Sequence, residues 1–471
     1  MNTKITFYSG IYTIGGVVME VIYGNDRIIM EIGTAYDPTT DVYDGTVLRR
    51  NKHWLKDSLR LGGAPKIEGL YAKADLLDYP LPSAEESPLN TAVFVTHLHL
   101  DHMSAMGMIS PLVPVYLSKP AQTIEYALED IGEGVVGHRR DYTAFHDQQI
   151  IKIGEIEVLP FLLNDRSYQD YSFYVKTPDL KIHYTGDLCL HSSYANKVLE
   201  EMEIIKKEDV DVLVVDTTSF MDNIMTMIYG EPDAEIKSTM ELPAGIINQE
   251  TVDCETEEII NNVVGLCVTN FYNREMADVE DFYKMAKSSE RQFVLEPETA
   301  HIVRQFFNTN PLVYIPDNAK YSTLNAKWYQ DVIKNCEIIT KEDIAKNPSG
   351  YILQNSYENI LELFDLPAKD AAYVHAGGIP IGDFDPAFKN LMRVLDLTGF
   401  KHVSFFSKNY FPHAYPSEVK YYSDQVNPKI LIPSHGYNPE RLIAPNGRSR
   451  LLPELGVTYQ LSADGKSLEK V

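Results

Sequence analysis

The run His97-Leu98-His99-Leu100-Asp101-His102 places four metal-binding side chains within six positions. It follows the apolar stretch Thr91–Thr96, which predicts a buried strand. Because alternate residues of an extended chain point to the same side, His97, His99 and Asp101 can converge just beyond that strand. Imidazoles combined with a carboxylate favour zinc or a similar divalent ion, and the mixture indicates two ions rather than one. The alternative is a histidine-rich surface loop.

Two further strand ends carry candidate ligands. Asp187 follows the predicted strand Lys181–Tyr184 and a glycine that permits a tight turn, and its carboxylate could bridge two ions. His435 follows the predicted strand Lys429–Pro433 and is a candidate ligand of the second ion. His413 lies shortly before it and could reach the same cleft. A single histidine is more often structural than a ligand, but several candidates at strand ends together favour a metal site.

The elements that position these residues belong to an α/β fold. Residues 5–33 predict short strands, residues 34–90 are irregular, and strands alternate with helices from 110 to 216. A second alternation begins near 255, which predicts parallel strands covered by helices. A chain of 471 residues is too long for one simple core. We therefore expect a metal-binding domain interrupted by another, with its first part at 1–218, the inserted domain at 219–400 and its last part at 401–471.

Composition limits the possible partners. With a net charge of −25, the chain will not coat nucleic acid non-specifically in the way that basic proteins do. Bound cations can nevertheless offset the negative field locally. No apolar run is long enough to span a membrane, and the first residues lack the apolar core of a signal peptide. The four cysteines are scattered, which fits a reducing compartment. We expect a cytoplasmic protein without a membrane partner.

These motifs resemble the metallo-β-lactamase superfamily and, more narrowly, its β-CASP group, to which ribonuclease J belongs. The resemblance implies a metallo-β-lactamase αββα sandwich with an inserted α/β β-CASP-like domain. It covers nearly the whole chain, and the histidine run is its most specific part. The segments that carry it are His97–His102, Gly186-Asp187, Asp211–Thr218, Thr269–Arg274, Gly378–Gly382, His413-Ala414 and Ile432–Gly436.

The resemblance also implies the metal ligands and their number. It predicts two divalent ions, zinc or alternatively manganese, with Asp187 bridging them. The first ion would be held by His97, His99 and Asp165, and the second by Asp101, His102 and His435.

Two positions depart from the pattern of the group. Asp165 stands where the group carries a histidine, and a carboxylate there would change the charge and the metal preference of the first site. The neighbouring Arg166 could instead pair with it. Glu31 replaces the usual aspartate of the first motif, and we expect it to support the ligands rather than to bind an ion.

The function implied is that of a metal-dependent hydrolase, specifically a ribonuclease that cleaves single-stranded RNA with a hydroxide shared by two ions. The catalytic set would be His413, Asp101 and Asp216, with His413 contacting the scissile phosphate or protonating the leaving oxygen. Asn273 and Arg274 are candidate phosphate contacts. A homodimer is the hypothesised assembly. Two alternatives stay open: a hydrolase of a small ester, thioester or cyclic substrate, and a metal-poor homologue that binds RNA or a partner.

Overall fold

The structure is a computed structural model. It describes residues 2–35, 42–43, 47–164, 170–244, 246–318, 320–321, 325–404 and 410–471. The strands of these residues form three sheets, two in a sandwich and one in a separate layer unit. None of the helices in this part of the chain has the length and apolar character that crossing a membrane requires.

The first sheet of the sandwich combines both ends of the chain. Its amino-terminal strands pair antiparallel, and the strand Asp26–Met30 then pairs in parallel with the strand that precedes the histidine run. From one edge to the other, its strands are Leu468–Lys470, Thr458–Leu461, Lys4–Ser9, Val18–Tyr23, Asp26–Met30, Asn90–Phe94, Val115–Ser118 and Thr143–Phe145.

The second sheet faces the first across an apolar core. Three of its neighbouring strands are mutually parallel, so their carboxyl ends meet at one edge. In order, its strands are Ser449–Arg450, Ile430–Ser434, Val212–Asp216, Lys181–Tyr184, Asp170–Lys176, Ile156–Asn164 and Ile151–Ile153. The core between the sheets is fully buried and includes Phe7, Ile28, Phe94, Phe173, Ile182 and Val214.

Helices cover both outer faces, which completes an αββα sandwich. The α-helices of the described residues are Trp54–Leu61, Lys73–Leu76, Leu100–Met103, Lys119–Ile131, Ala195–Lys207, Asp222–Tyr229, Gln249–Asn262, Met276–Ser288, Pro297–Phe307, Lys327–Asn335, Lys341–Lys346, Phe388–Thr398 and Pro416–Val426. Short 3₁₀ turns lie at Ala84–Glu86, Met106–Met108, Thr218–Phe220, Pro348–Gly350, Tyr357–Phe364 and Pro439–Arg441.

The third sheet is parallel throughout, as the second alternation in the sequence predicts. Its strands, in order, are Glu337–Ile338, Leu312–Val313, Gln292–Leu295, Tyr351–Gln354, Cys267–Phe271, Ala372–Ala376 and Lys401–Ser404. The last strand of this sheet corrects the predicted boundary of the inserted domain at residue 400. Lys401–Ser404 pairs with Ala372–Ala376, so this strand belongs to the inserted unit and not to the sandwich.

The inserted unit packs against one helix of the sandwich. The helix Lys119–Ile131 begins where the Ser118 hydroxyl accepts a hydrogen bond from the Ala121 amide, at 3.2 Å. Its buried residues share one apolar cluster with those of the helix Pro297–Phe307. This packing fixes the third sheet beside the edge of the sandwich at which the histidine run lies.

Candidate metal centre

The candidate ligands lie on loops that leave neighbouring strands at one edge of the sandwich. The histidine run follows Asn90–Phe94 of the first sheet, and a single helical turn at Leu100–Met103 directs Asp101 and His102 inward. Asp187 and His435 follow Lys181–Tyr184 and Ile430–Ser434 of the second sheet. The site therefore spans the gap between the two sheets.

Asp187 lies at the centre of the cluster. Its Oδ2 is 3.5 Å from His97 Nε2 and 3.9 Å from His413 Nε2. Its Oδ1 is 3.1 Å from His102 Nε2 and 3.5 Å from His435 Nε2. One carboxylate thus faces four imidazole nitrogens, which suits a ligand shared by two ions.

Asp101 completes the side of the cluster that faces the second sheet. Its Oδ2 lies 3.6 Å from His102 Nε2 and 3.4 Å from His435 Nε2. The two Nε2 atoms of these histidines are themselves 3.1 Å apart. Two imidazoles that turn the same nitrogen toward each other and toward carboxylates form a suitable donor set for a cation.

Four of the histidines contact a supporting side chain through Nδ1, on the side of the ring away from the cluster. Thr96 Oγ1 lies 2.9 Å from His97, and Glu31 Oε1 lies 3.5 Å from His102. Such contacts fix the orientation of the ring and leave Nε2 facing the cluster.

The other two of these histidines are held by residues of the strand end at Asp216. Asp216 Oδ2 lies 2.8 Å from His413 Nδ1, and Thr218 Oγ1 lies 2.6 Å from His435 Nδ1. The Thr218 hydroxyl also lies 2.6 Å from Asp216 Oδ1. Asp216 and Glu31 are both buried and stand behind the histidines.

His99 is contacted through its other ring nitrogen, Nε2, and by a residue of the inserted unit. Its Nε2 is 2.9 Å from Glu275 Oε1, at the start of the helix Met276–Ser288. This contact leaves Nδ1 as the ring nitrogen for an ion.

The backbone approaches the cluster closely at two glycines. A Cβ on Gly33 would lie 1.9 Å from the carbonyl oxygen of Asp101, and one on Gly15 would lie 2.3 Å from the Asp101 side chain. The Gly16 amide donates a 2.7 Å hydrogen bond to the same carbonyl. Only glycine permits this approach, so these loops fix the position of Asp101.

Burial and charge set the protonation of the cluster. Burial raises the pKa of Asp187, but His102, His435 and His413 outweigh that effect and hold it well below its usual range. Burial lowers the pKa of His435, yet the surrounding carboxylates raise it to about 10. Protons and a metal ion therefore compete for the same nitrogens, and binding an ion releases protons.

The donor atoms fit divalent ions. The Nε2 atom of His97 is buried and has no hydrogen-bond partner in the part of the chain that the structure describes. A buried polar atom without a partner is costly unless a ligand satisfies it. Three sets of donor atoms each lie within 4.8 Å of one another: His97, His99 and Asp187; Asp101, His102 and His435; Asp187, His413 and His435.

The structure thus brings together the predicted ligands of residues 97–102, Asp187 and His435, and it adds His413 as a possible ligand. Asp165, the predicted ligand of the first ion, lies outside the described residues. Its contribution stays a prediction.

Asn273 and Arg274, the candidate phosphate contacts, are engaged with the sandwich instead. Asn273 Nδ2 donates to Glu133 Oε2 at 2.8 Å. The buried Arg274 guanidinium donates to the Glu133 carbonyl at 2.8 Å and lies 3.6 Å from Glu125 Oε2. These contacts join the two units, and this arrangement leaves Arg274 poorly placed to bind a phosphate.

A cavity of about 880 Å³ lies between the metal face and the carboxyl ends of the third sheet. Ligands of open α/β sheets bind at such ends. The charged residues that line this cavity are Asp101, Glu133, Glu296, Glu298, Glu358, Arg49 and Arg274. The lining is therefore mainly acidic.

Comparisons with known proteins agree with this architecture. Residues 67–250 match the model of the beta-lactamase superfamily domain. The chain is 22% identical over 460 residues to ribonuclease J of Pyrococcus abyssi (strain GE5 / Orsay), and the match covers 90% of this chain and 89% of that protein. It is also similar to the crystal structure of a protein of unknown function from Enterococcus faecalis V583, with a TM-score of 0.76 and 25% identity, over 98% of this chain and 100% of the other.

The family is thus supported by the matched domain, by the relative of similar length and by the sandwich with its inserted unit. The resemblance that the histidine run carries in the sequence is confirmed. Residues 67–250 thus carry a beta-lactamase superfamily domain, and the comparisons support the resemblance of the chain to the β-CASP group of that superfamily.

Proposed function

We propose that this protein is a metal-dependent hydrolase that cleaves phosphodiester bonds of single-stranded RNA. The observation that carries the proposal is the convergence of four imidazoles on Asp187 beside an interdomain cavity. The similarity to ribonuclease J supports RNA as the substrate class. Zinc or manganese as the native ion, a cytoplasmic location and a homodimer are the finer parts of this proposal.

Each residue of the metal centre would have a distinct role in hydrolysis. When bound, two divalent ions lower the pKa of water enough to supply a nucleophile and offset charge on the phosphate. Asp187 would hold both ions. Asp216 fixes His413 through Nδ1, which leaves Nε2 on the side of Asp187, where the phosphate would bind. His413 would then bind that phosphate or protonate the leaving oxygen.

A second candidate is a hydrolase of a small ester, thioester or cyclic substrate. It is favoured by the acidic lining of the cavity, because carboxylates repel a polyanion. Of the two arginines in this cavity wall, Arg49 and Arg274, the latter is already engaged with Glu133 and Glu125.

The test is an assay of 5′-monophosphorylated single-stranded RNA with added Zn²⁺ or Mn²⁺. We expect Asp187→Ala and His99→Ala to lower cleavage at least about 100-fold, because each removes a group of the metal centre. His146→Ala, at an exposed histidine, is the matched control and should cleave as the original chain does. A metal-loaded protein that hydrolyses a cyclic phosphodiester or a thioester but no RNA would favour the second candidate. Cleavage unchanged in both variants would assign the activity to another site or to a contaminant.

A further inference from the structure

The inserted unit contacts a predicted metal ligand through Glu275. Its carboxylate lies 2.9 Å from His99 Nε2, and the ring of Tyr272 lies 5.7 Å from the His99 ring, between centroids. The Glu275 amide donates to the Tyr272 carbonyl at 3.0 Å, which closes a turn before the helix Met276–Ser288. Glu275 is therefore placed by the fold of the inserted unit.

This contact differs in origin from those behind the other histidines. Thr96, Glu31, Thr218 and Asp216 all belong to the sandwich, and each lies against an Nδ1 atom. Among the described residues, His99 is the one predicted ligand whose supporting carboxylate comes from the third-sheet unit.

A carboxylate on the outer nitrogen of a ligand histidine fixes the tautomer and the ring orientation, and it raises the basicity of the inner nitrogen. With Nε2 engaged by Glu275, His99 carries its proton on Nε2 and presents Nδ1 to an ion.

We propose that Glu275 is a positioning residue for His99, and that it makes metal binding at His97, His99 and Asp187 depend on the placement of the inserted unit. By thermodynamic linkage, an ion bound there holds the inserted unit against the sandwich to the same extent. This inference rests on the metal centre of the proposed function and not on RNA as its substrate.

The first test titrates metal-free protein with Mn²⁺ by calorimetry. We expect Glu275→Ala to weaken one binding event about 10- to 100-fold, the usual cost of losing such a supporting group. Glu275→Gln keeps a hydrogen-bonding group without the charge and should have a smaller effect. Glu342→Gln is the matched control, because it removes the charge of an exposed carboxylate of the same unit. Its Mn²⁺ affinity should change less than about 2-fold.

The second test measures amide hydrogen exchange of residues 267–288 with and without Mn²⁺. We expect Mn²⁺ to slow exchange there in the original chain and in Glu342→Gln, but much less in Glu275→Ala. Should Glu275→Ala fail to fold, Glu275→Gln and the original chain still give the comparison. Unchanged Mn²⁺ affinity in both Glu275 variants, or exchange that Mn²⁺ does not alter in the original chain, would overturn the inference. Neither measurement uses a substrate, so failure of the RNA assay alone leaves this inference standing.

Discussion

At the scale of single residues, the role of each histidine follows from which of its nitrogens is engaged. His97, His102, His413 and His435 are held through Nδ1 and turn Nε2 inward, whereas His99 is held through Nε2. An imidazole fixed in this way loses little conformational freedom on binding an ion or a substrate. Activity at this centre should therefore depend on the supporting groups as well as on the ligands.

The role of His413 gives a prediction at this scale. Its Nε2 is 3.9 Å from Asp187 Oδ2, farther than the corresponding distances of His97, His102 and His435. We expect His413→Ala to lower kcat about 100-fold while both ions remain bound, because general acid–base catalysis commonly contributes that much. Metal content by mass spectrometry and steady-state kinetics on RNA measure the two effects separately. Loss of one equivalent of metal would instead identify His413 as a ligand.

At the scale of elements, the ends of parallel strands position ionisable side chains in both units. The sandwich places Asp187 and His435 beyond two such strands, and the inserted sheet places Glu296 just beyond Gln292–Leu295. Glu296 is buried beside the cavity and accepts a 3.1 Å hydrogen bond from the Ser356 amide. Burial raises the pKa of Glu296 to about 8.

This raised pKa predicts how stability changes with pH. The unfolded chain releases the Glu296 proton near pH 4.5, whereas the folded chain keeps it until about pH 8, so stability falls as the pH rises through that interval. Glu296→Gln removes this loss without changing the shape of the side chain. We expect the variant to be more stable than the original chain by about 2–4 kcal/mol at pH 8.5, at about 1.4 kcal/mol per pKa unit, and by much less at pH 5.

Denaturant unfolding of metal-free protein at the two pH values measures this difference. Glu342→Gln, at an exposed position of the same unit, is the control. The difference in stability between this variant and the original chain should be the same at both pH values. An equal effect of Glu296→Gln at both pH values would contradict the raised pKa.

At the scale of the whole molecule, the centre joins segments far apart in the chain. The histidine run belongs to a loop of the first sheet, Asp187 and His435 belong to the second, and Glu275 belongs to the inserted unit. A ligand that binds only the folded state stabilises the entire assembly by mass action.

Metal removal tests this expectation. At free Mn²⁺ about 100 times the Kd, one ion should stabilise the fold by about 2.7 kcal/mol, and the melting temperature should rise by several degrees relative to protein in EDTA. Asp187→Asn should melt at the same temperature with and without Mn²⁺, because it lacks the shared carboxylate. A Mn²⁺-dependent rise of equal size in Asp187→Asn would show that the stabilising ion binds elsewhere.

Much of the sandwich and of the site could be predicted from the sequence because the signals are local. The histidine run, Asp187 and His435 each follow an apolar strand within a few residues. The boundary at 400 was wrong because Lys401–Ser404 has a single apolar residue, Val403, and its pairing with Ala372–Ala376 depends on tertiary structure.

Other features depend on contacts that no local pattern encodes. The alternation predicted between 110 and 216 does not reveal the hairpin at Gly154, which turns the chain with a φ of 57° between Ile151–Ile153 and Ile156–Asn164. Glu275 has no motif of its own, and its position next to His99 arises only when the inserted unit packs on the helix Lys119–Ile131. The engagement of Arg274 by Glu125 and Glu133 has the same origin.

The spread of the ligands along the chain has a consequence for biosynthesis. His97, His99 and Asp187 have all been synthesised once 187 residues are made, whereas His435 follows 435 − 187 = 248 residues later. The inserted unit, with Glu275, is translated between these two groups of ligands, so Glu275 can contact His99 before His435 is made. The complete set of candidate ligands therefore exists only after the last strands of the sandwich have been made.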